Sequence, residues 1–337
     1  MKKILLLTAV LLAAGTLTLQ AQDQDYPHGF YLKPTGSYFI KVTPVEFPAI
    51  GGMPARDRSF TINPQTGETT TISEKALTGS FGEGWRAGLT LGYRFNRILG
   101  VELGLNMYQS TEQDMMRQNG TVGGNTVLNL NTVGKIRAYD VAPALVAHFP
   151  SEGMIRPYAK VGVIVPVGGY LQINTSLDDK TGQFAEEAGF TSPVPDTHIA
   201  LQLEREERIN PRPTVGFQSA VGVDFMLSDH CSVFAEVEYR NISVGGKDKE
   251  LKKYSGTATV VSDATLQPVP GVPQTPITME NATPATKDVT YHETLTSGMN
   301  VEGWEDFDRS RPADDLRSYV NIGGLGLNAG LKFYLSR

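Results

Sequence analysis

The sequence predicts an all-β fold, an eight-stranded antiparallel transmembrane β-barrel of the outer-membrane type with long extracellular loops. Eight segments alternate apolar and polar residues with the period of two that half-buried strands show. No stretch beyond the first 21 residues is long and apolar enough to cross a membrane as a helix. The links between the segments alternate between short and long, which is the plan of outer-membrane barrels.

The N-terminal segment 1–21 is predicted to be a cleavable secretory signal peptide. Lys2 and Lys3 give the positive start, an apolar stretch runs from Ile4 to Leu19, and Ala21 is the small residue before cleavage. The mature chain, 22–337, is predicted to be one outer-membrane β-barrel domain. Its expected location is the outer membrane of a Gram-negative bacterium.

The eight predicted strands lie near 29–42, 84–95, 99–109, 135–148, 156–172, 213–227, 231–243 and 319–335. In the second, every odd position from Trp85 to Phe95 is apolar, and every even position is Arg, Gly or Thr. Long connections are expected at 43–83, 110–134, 173–212 and 244–318. With both termini on the side of the short turns, these four connections all leave on the extracellular side.

Some local features are expected within this plan. A hairpin is predicted between Thr61 and Ser73, and the segments Leu251–Val261 and Asp288–Thr296 are predicted to extend strands seven and eight above the membrane. Pro143 and Pro166 interrupt strands and remove ladder donors, which predicts bulges or local irregularity. The charged run 204–208 is interpreted as a solvated loop.

The polar face of the strands indicates a barrel lumen rather than a water-exposed sheet surface. Glycine weakens strands, but it makes room in a narrow eight-stranded barrel. The glycines assigned to this face are Gly88, Gly92, Gly100, Gly104, Gly162, Gly168, Gly216, Gly222, Gly324, Gly326 and Gly330. The charged residues assigned to it are Lys33, Arg86, Arg94, Glu102, Asp140, Lys160, Asp224, Glu236, Glu238, Arg240 and Lys332. Because unpaired buried charge is costly, these groups are expected to form an ion-pair network that plugs the lumen.

The opposite face carries aromatic residues near the strand ends, as expected for two interfacial girdles around an aliphatic band. The predicted girdle residues are Trp85, Phe95, Tyr139, Phe149, Phe225, Tyr239, Tyr319 and Phe333. The alternative is a soluble secreted β-sandwich in which these aromatics cap a buried core.

Four segments carry a resemblance to a known family. They are Ala138–Leu145 (AYDVAPAL), Arg156–Gly162 (RPYAKVG), Phe217–Arg240 and Gly330–Leu335 (GLKFYL). With them the chain resembles the outer membrane protein beta-barrel domain proteins of Bacteroides-type bacteria, within the small OmpA/OmpX-like barrels. The resemblance implies outer-membrane lipid and lipopolysaccharide as partners, with barrel-assembly machinery and periplasmic chaperones during biogenesis. The family is often described as porin-like.

Composition and motifs give no sign of catalysis or of a cofactor. The net charge of −6 argues against a nucleic-acid binder, which would show a basic patch. A single cysteine, Cys231, excludes a disulfide framework and a Cys-rich zinc site. His148 is expected to be a hydrogen-bonded lumen residue, and His230 follows Ser228 and Asp229 in a turn, where a catalytic triad rarely forms. Neither a metal nor a cofactor is therefore expected.

The leading functional hypothesis is a non-enzymatic outer-membrane surface protein. Its barrel would anchor, and its loops would serve recognition and adhesion of an unknown extracellular ligand, or envelope integrity. One alternative is a narrow porin-like channel for small solutes. A remote alternative is a barrel enzyme that modifies outer-membrane lipid.

Overall fold

The computed structural model describes residues 28–42, 44–47, 53–151, 153–185, 190–212 and 214–335; the predicted signal peptide, 1–21, lies outside them. A short helix, α1 (Pro284–Lys287), follows the N-cap residue Thr283. The strands in the described ranges are β1 (Gly29–Lys41), β2 (Val45–Glu46), β3 (Arg56–Ile62), β4 (Thr69–Ala76), β5 (Thr78–Gly79), β6 (Gly84–Arg94), β7 (Leu99–Ser110), β8 (Gln113–Val122), β9 (Asn125–His148), β10 (Ile155–Asp179), β11 (Thr197–Pro211), β12 (Gly216–Ser228), β13 (Cys231–Asn241), β14 (Ser243–Ser262), β15 (Thr275–Ile277), β16 (Asp288–His292), β17 (Ala313–Leu316), β18 (Tyr319–Asn321) and β19 (Gly324–Tyr334).

Eight of these strands close a barrel. In barrel order they are β1, β6, β7, β9, β10, β12, β13 and β19, and each pairs antiparallel with the next. The barrel closes because β19 pairs back with β1, from Tyr31 opposite Tyr334 to Lys41 opposite Gly324. Closure lets the strands satisfy one another's backbone groups in lipid. The predicted fold class is confirmed.

The two longest strands continue far beyond the membrane. A tilted strand needs roughly 9–11 residues to cross a bilayer, whereas β9 has 24 residues and β10 has 25. Above the barrel, β8 pairs with β9, β11 pairs with β10, and β14 pairs with β11. Much of 110–134 and 173–212, expected to be loop, is therefore a β-sheet that stands on the barrel.

Two of the three predicted extracellular elements are confirmed. β3 and β4 form the hairpin expected between Thr61 and Ser73. Leu251–Val261 lies in β14, which follows β13 after the single residue Ile242 and so extends strand seven. The prediction for Asp288–Thr296 was wrong, because β16 pairs with β14 and, in parallel, with β17 instead of extending strand eight. Val289 packs there in a small apolar cluster with Ala285 and Ala313.

A bulge in β10 reassigns the two faces of that strand. The register with β9 shifts between Pro166 and Gly168, so Val167 is an extra residue, as expected near Pro166. Pro143 pairs in register with Leu103. Gly168 lies opposite Tyr139 on the outer surface, so its assignment to the lumen was wrong. The extra residue reverses the side to which each later residue of β10 points.

The extracellular sheet has an apolar core of its own. Leu128 and Leu201 are fully buried, and Phe60, Met116 and Leu177 pack in the same cluster. The apolar surface that these side chains remove from water stabilises the sheet, whereas a solvated loop would lack this contribution. Among the described residues, none of the helical segments is both long enough and apolar enough to cross a membrane.

Candidate functional site

The barrel lumen brings charged side chains together because alternate residues of each strand point inward. Lys33 on β1, Glu236 on β13 and Lys332 on β19 are almost completely buried. Glycines give these side chains room: a Cβ atom added at Gly92 would lie 2.1 Å from the ring of Tyr31. All eleven residues of the predicted network lie inside the barrel, and their side chains are at most 9% exposed.

The middle of the lumen holds a cluster of two lysines and two glutamates. Glu236 accepts hydrogen bonds from the ammonium groups of Lys33 and Lys160, each at 2.9 Å. Glu102 lies 3.5 Å from the Lys33 nitrogen and 3.8 Å from the Lys160 nitrogen. Each carboxylate thus has two cations nearby, which offsets the cost of taking these charges out of water.

A second cluster lies on the extracellular side of the first. The guanidinium of Arg86 donates to both carboxylate oxygens of Glu238, at 2.9 and 2.6 Å, in the two-pronged geometry that arginine favours. Arg240 donates to Asp140 at 2.7 Å and has its Nε 3.9 Å from Glu238. Lys160 lies 3.9 Å from Glu238 and so connects this cluster to the middle one.

The remaining three charges lie towards the short turns. Lys332 donates to Asp224 at 2.6 Å. Arg94 donates to the backbone oxygens of Asn96 at 3.1 Å and Arg97 at 2.6 Å, and thereby holds the turn between β6 and β7. The structure thus gives Arg94 a role in the turn as well as a place in the lumen.

Neutral residues that the sequence reasoning did not single out complete the network. Tyr31 donates to Glu102 at 2.9 Å, and Tyr158 donates to Glu236 at 2.8 Å. The amide of Asn328 donates to Glu236 at 2.6 Å and also to Glu238. Each donor occupies a lumen-facing position of its strand, so the same alternation that identified the charges could have identified them.

Little space is left between these side chains. A cavity of about 20 Å³ remains, with Lys33, Arg86, Glu102 and Glu236 among its walls. That is on the order of the space that one or two water molecules occupy.

An apolar cluster lies over the extracellular end of the network. Phe81, in the segment before β6, is fully buried, and its ring centroid lies 5.2 Å from that of Phe47. Tyr108 donates its hydroxyl to the Phe81 carbonyl at 2.7 Å. Ile136 and Ile164 from the barrel wall belong to the same cluster. The segment between β5 and β6 is therefore packed into the extracellular mouth of the barrel.

The comparisons with known proteins agree with this architecture. The family model for the outer membrane protein beta-barrel domain matches residues 9–262. The chain belongs to this family. A comparison with curated proteins gives no match.

Three solved outer-membrane barrels are structurally similar to this family member at low sequence identity. OprG from Pseudomonas aeruginosa is 12% identical and aligns over 91% of this chain and 95% of its own, with a TM-score of 0.35. AlkL is 12% identical over 94% of this chain and 95% of its own, at 0.33. Outer membrane protein W from E. coli is 14% identical over 76% and 96%, at 0.21.

The outer surface of this family member carries the predicted aromatic residues. Every one of the eight predicted girdle side chains is exposed. Tyr319 is displaced from its predicted place, because it lies in β18 opposite Gly245 and outside the barrel strands. At the rim on the side of the short turns, the ring of Tyr93 lies 4.7 Å from that of Phe30 and 5.1 Å from that of Phe95. Such ring clusters suit the interface between lipid and water.

The histidines considered for catalysis have other surroundings. His148 is buried in the lumen, 6.0 Å from the ring of Tyr158, and neither of its ring nitrogens hydrogen bonds to another described residue. The expected hydrogen bond is therefore absent from the described part. In the turn, the backbone nitrogen of His230 donates to the hydroxyl of Ser228. No group of three or more His, Cys, Asp or Glu residues suited to a metal ion occurs in the described ranges.

The charged run 204–208 is not the solvated loop that the sequence indicated. It lies in β11, where Arg205 and Glu207 point inward between Leu203 and Ile209. Glu207 is buried, and Arg205 and Lys249 each lie 2.7 Å from its carboxylate. Burial alone would raise the pKa of Glu207, but the two cations lower it to about 2.

Proposed function

We propose that this protein is a non-enzymatic outer-membrane anchor with a closed lumen, and that its extracellular sheet serves recognition, adhesion or envelope integrity. The observation that supports the proposal most is the contrast between a nearly filled lumen and a large ordered sheet above it. The cavity lined by the central charged groups measures about 20 Å³. A stable extracellular core, by contrast, can hold exposed side chains in fixed positions.

The closed lumen is supported by the ion pairs among its buried charges. Removing one partner of a buried ion pair leaves an uncompensated charge, which opposes any motion that separates Arg86 from Glu238 or Lys33 from Glu236. The apolar cluster around Phe81 adds a second barrier at the extracellular mouth. Solutes would have to displace both.

A narrow channel is the second candidate, and one contact favours it. The Lys160 ammonium lies within 4 Å of three carboxylates, at 2.9 Å from Glu236, 3.8 Å from Glu102 and 3.9 Å from Glu238. A cation with three carboxylates within reach can move from one to another. Swelling of proteoliposomes in small sugars distinguishes the two functions. The proposal expects swelling no faster than in empty liposomes, whereas a channel gives a rate that rises with protein content.

The recognition role is supported by large apolar side chains that the extracellular part of the protein exposes. Trp304 is 43% exposed and Leu316 is 51% exposed. The loop that carries Trp304 is held by the buried Asn300, whose side-chain amide donates to the backbone oxygens of Asp308, Arg311 and Pro312. A fixed exposed tryptophan is a common anchor in protein interfaces.

An array of glycans and matrix proteins, probed with the folded protein in detergent, tests this role. The proposal expects binding to at least one array member and its loss in the double variant Trp304→Ala/Leu316→Ser. The control variant Thr69→Ser/Thr70→Ser changes exposed residues of β4 and should bind like the wild type. Equal binding by the Trp304 variant, or an array without signal, would contradict recognition by this surface.

The non-enzymatic part of the proposal is supported by the surroundings of His148 and His230, which are a lumen wall and a turn. Expression of the protein should leave the mass spectrum of lipid A unchanged. A new lipid A species that depends on the protein would contradict this part and favour a lipid-modifying barrel.

A further inference from the structure

Three cations form a compact patch on the outer surface of the barrel wall, directly above the upper aromatic girdle. Arg137 on β9 lies opposite Tyr170 on β10. One step higher, Gln172 on β10 lies opposite both Lys135 on β9 and Arg208 on β11. Directly opposite residues share a face of the sheet, and neighbouring strands are about 4.8 Å apart. The three cations therefore share a patch whose backbone spans about 10 Å.

The height of this patch is fixed by its neighbours along the strand. Arg137 and Lys135 alternate with the buried residues Ala138 and Ile136, so both point outward. Tyr139, only two residues below Arg137, is exposed and belongs to the girdle. The cations thus lie where the phosphates of the outer leaflet meet the protein.

The present partners of the cations are weak. Arg137 donates to the side-chain oxygen of Gln109 at 3.1 Å. Lys135 lies 3.6 Å from the exposed Glu112. Arg208 lies 3.2 Å from Glu206, and both are partly exposed. Exposed ion pairs contribute little, so these cations can exchange their partners for a phosphate.

The aromatic ring in the patch orients one of the cations. The guanidinium carbon of Arg208 lies 4.7 Å from the centroid of the Tyr170 ring. This cation–aromatic contact fixes the plane of the guanidinium, so that a phosphate that replaces Glu206 meets its edge in a bidentate contact.

A groove for an apolar chain lies on the same wall, immediately below the patch. Its volume is about 440 Å³, and its walls include Ala87, Leu89, Leu105, Met107, Tyr139 and Val167. These residues face the lipid on β6, β7, β9 and β10, and the small side chain of Ala87 leaves the space open. Tyr139 belongs to the groove and stands directly beneath Arg137, so the groove and the patch are continuous.

We propose that this wall is a binding site for a phosphorylated glycolipid of the outer leaflet. Lys135, Arg137 and Arg208 bind its phosphates, and one acyl chain occupies the groove between Ala87 and Val167. The site is separate from the extracellular recognition surface and from the lumen. It gives the lipid a fixed place on the barrel wall, whereas bulk lipid surrounds the remaining circumference.

Native mass spectrometry of the folded protein in detergent, with added bisphosphorylated lipid A, tests the head-group half of the site. Each cation near a charged lipid surface contributes roughly five-fold to binding, so the variant Lys135→Gln/Arg137→Gln/Arg208→Gln should bind about 100-fold more weakly. A matched control, Lys75→Gln/Arg117→Gln/Lys252→Gln, removes the same charge from exposed positions elsewhere and should bind like the wild type. Equal binding by the patch variant, or an equal loss in the control, would overturn the proposal.

The groove half of the site is tested by Ala87→Trp, which fills the space without changing the charge. The proposal expects several-fold weaker binding of lipid A, with an unchanged heat-modifiable band to show that the barrel is folded. A large excess of inorganic phosphate should fail to displace the lipid. Displacement by phosphate together with unchanged binding by Ala87→Trp would identify a site for free phosphate and overturn the glycolipid site.

Discussion

The membrane-embedded barrel and the extracellular sheet share the two long strands β9 and β10, yet their interiors have opposite chemistry. In the barrel, β10 points Lys160 inward and Val161 outward. In the extracellular sheet, the same strand points Leu177 inward, and the facing strand β11 points Arg208 outward. The difference follows from the surroundings, because lipid rewards an apolar outer face and water rewards an apolar core.

The two strands make this change in different ways. Along β10 the apolar residues keep odd positions, from Val161 and Val165 to Leu171 and Ile173, and the extra residue Val167 moves them from the outside to the inside. β9 crosses from the barrel into the extracellular sheet at the same height, and in its pairing with β10 it has no extra residue of its own there. Its outward residues change in type instead, from apolar to cationic. A single inserted residue in β10 therefore reverses which residues face outward, whereas β9 adapts its outer face through a change of residue type along the strand.

The largest expected effect follows from deleting Val167. Without the extra residue, the register continues and Leu171, Ile173 and Leu177 point into water. The extracellular sheet should then lose its core while the barrel below still forms. Hydrogen exchange should show loss of protection in 171–179 and 197–211, with protection retained in 84–110. The substitution Val167→Ala keeps the residue count and should leave both regions protected; full protection after the deletion would contradict the role of the bulge.

The next effect concerns the buried charges. Glu236→Ala leaves the ammonium groups of Lys33 and Lys160 without their shortest carboxylate contact, and should reduce the free energy of unfolding by about 3–5 kcal/mol. Urea titration in detergent micelles measures the change. Glu83→Ala removes the partly exposed pair with Lys41 and should cost at most about 1 kcal/mol. Equal losses in the two variants would show that lumen burial adds nothing to the pair.

Truncation of a leucine to alanine should cost different amounts of stability in the two regions, because one leucine is buried in a protein core and the other faces lipid. Leu201→Ala removes a fully buried side chain from the extracellular core and should cost about 2–5 kcal/mol. Leu327→Ala removes a lipid-facing side chain, 70% exposed, and should cost less than about 1 kcal/mol because lipid fills the space. Local hydrogen exchange around each site measures the cost. A larger loss at Leu327 would reverse the assignment of inside and outside.

The smallest expected effect is a pH dependence confined to the extracellular sheet. The folded pKa of Glu207, about 2, lies below its ordinary value, so its contribution is complete above pH 5 and is lost as the pH falls towards 2. The loss should be on the order of 3 kcal/mol. Stability of the sheet against urea, measured from pH 7 to pH 2, should fall less steeply in Glu207→Gln. Parallel slopes in the two proteins would contradict the pairing with Arg205 and Lys249.

Period-two alternation was enough to predict the barrel. It gave the eight strands and placed residues as distant as Lys33 and Glu236 on the same face, because the face of a strand residue depends only on parity. It could not give partners, since these depend on register and closure. The neutral donors Tyr31 and Asn328 were missed because only charged residues of the lumen face were assigned to the network.

The regions that sequence reasoning misassigned are those in which parity or surroundings change. Gly168 was assigned to the lumen because Pro166 indicates an irregularity but not the number of residues that it adds. The one extra residue, Val167, reverses the face on which Gly168 lies. Glu207 was read as solvated because a charged run resembles a loop, although β11 points Arg205 and Glu207 inward and buries Glu207. Asp288–Thr296 was expected to extend strand eight, whereas its strand pairs with β14 and β17, and Val289 packs against Ala313.

Conductance of the refolded protein in a planar lipid bilayer tests the closed lumen most directly. The account predicts insertion without stable, uniform channel openings, because paired charges fill the centre and the cluster around Phe81 closes the mouth. In the same bilayer, Glu236→Ala should raise the conductance. Stable openings of uniform size in the wild-type protein would contradict the closed lumen and make the channel its function.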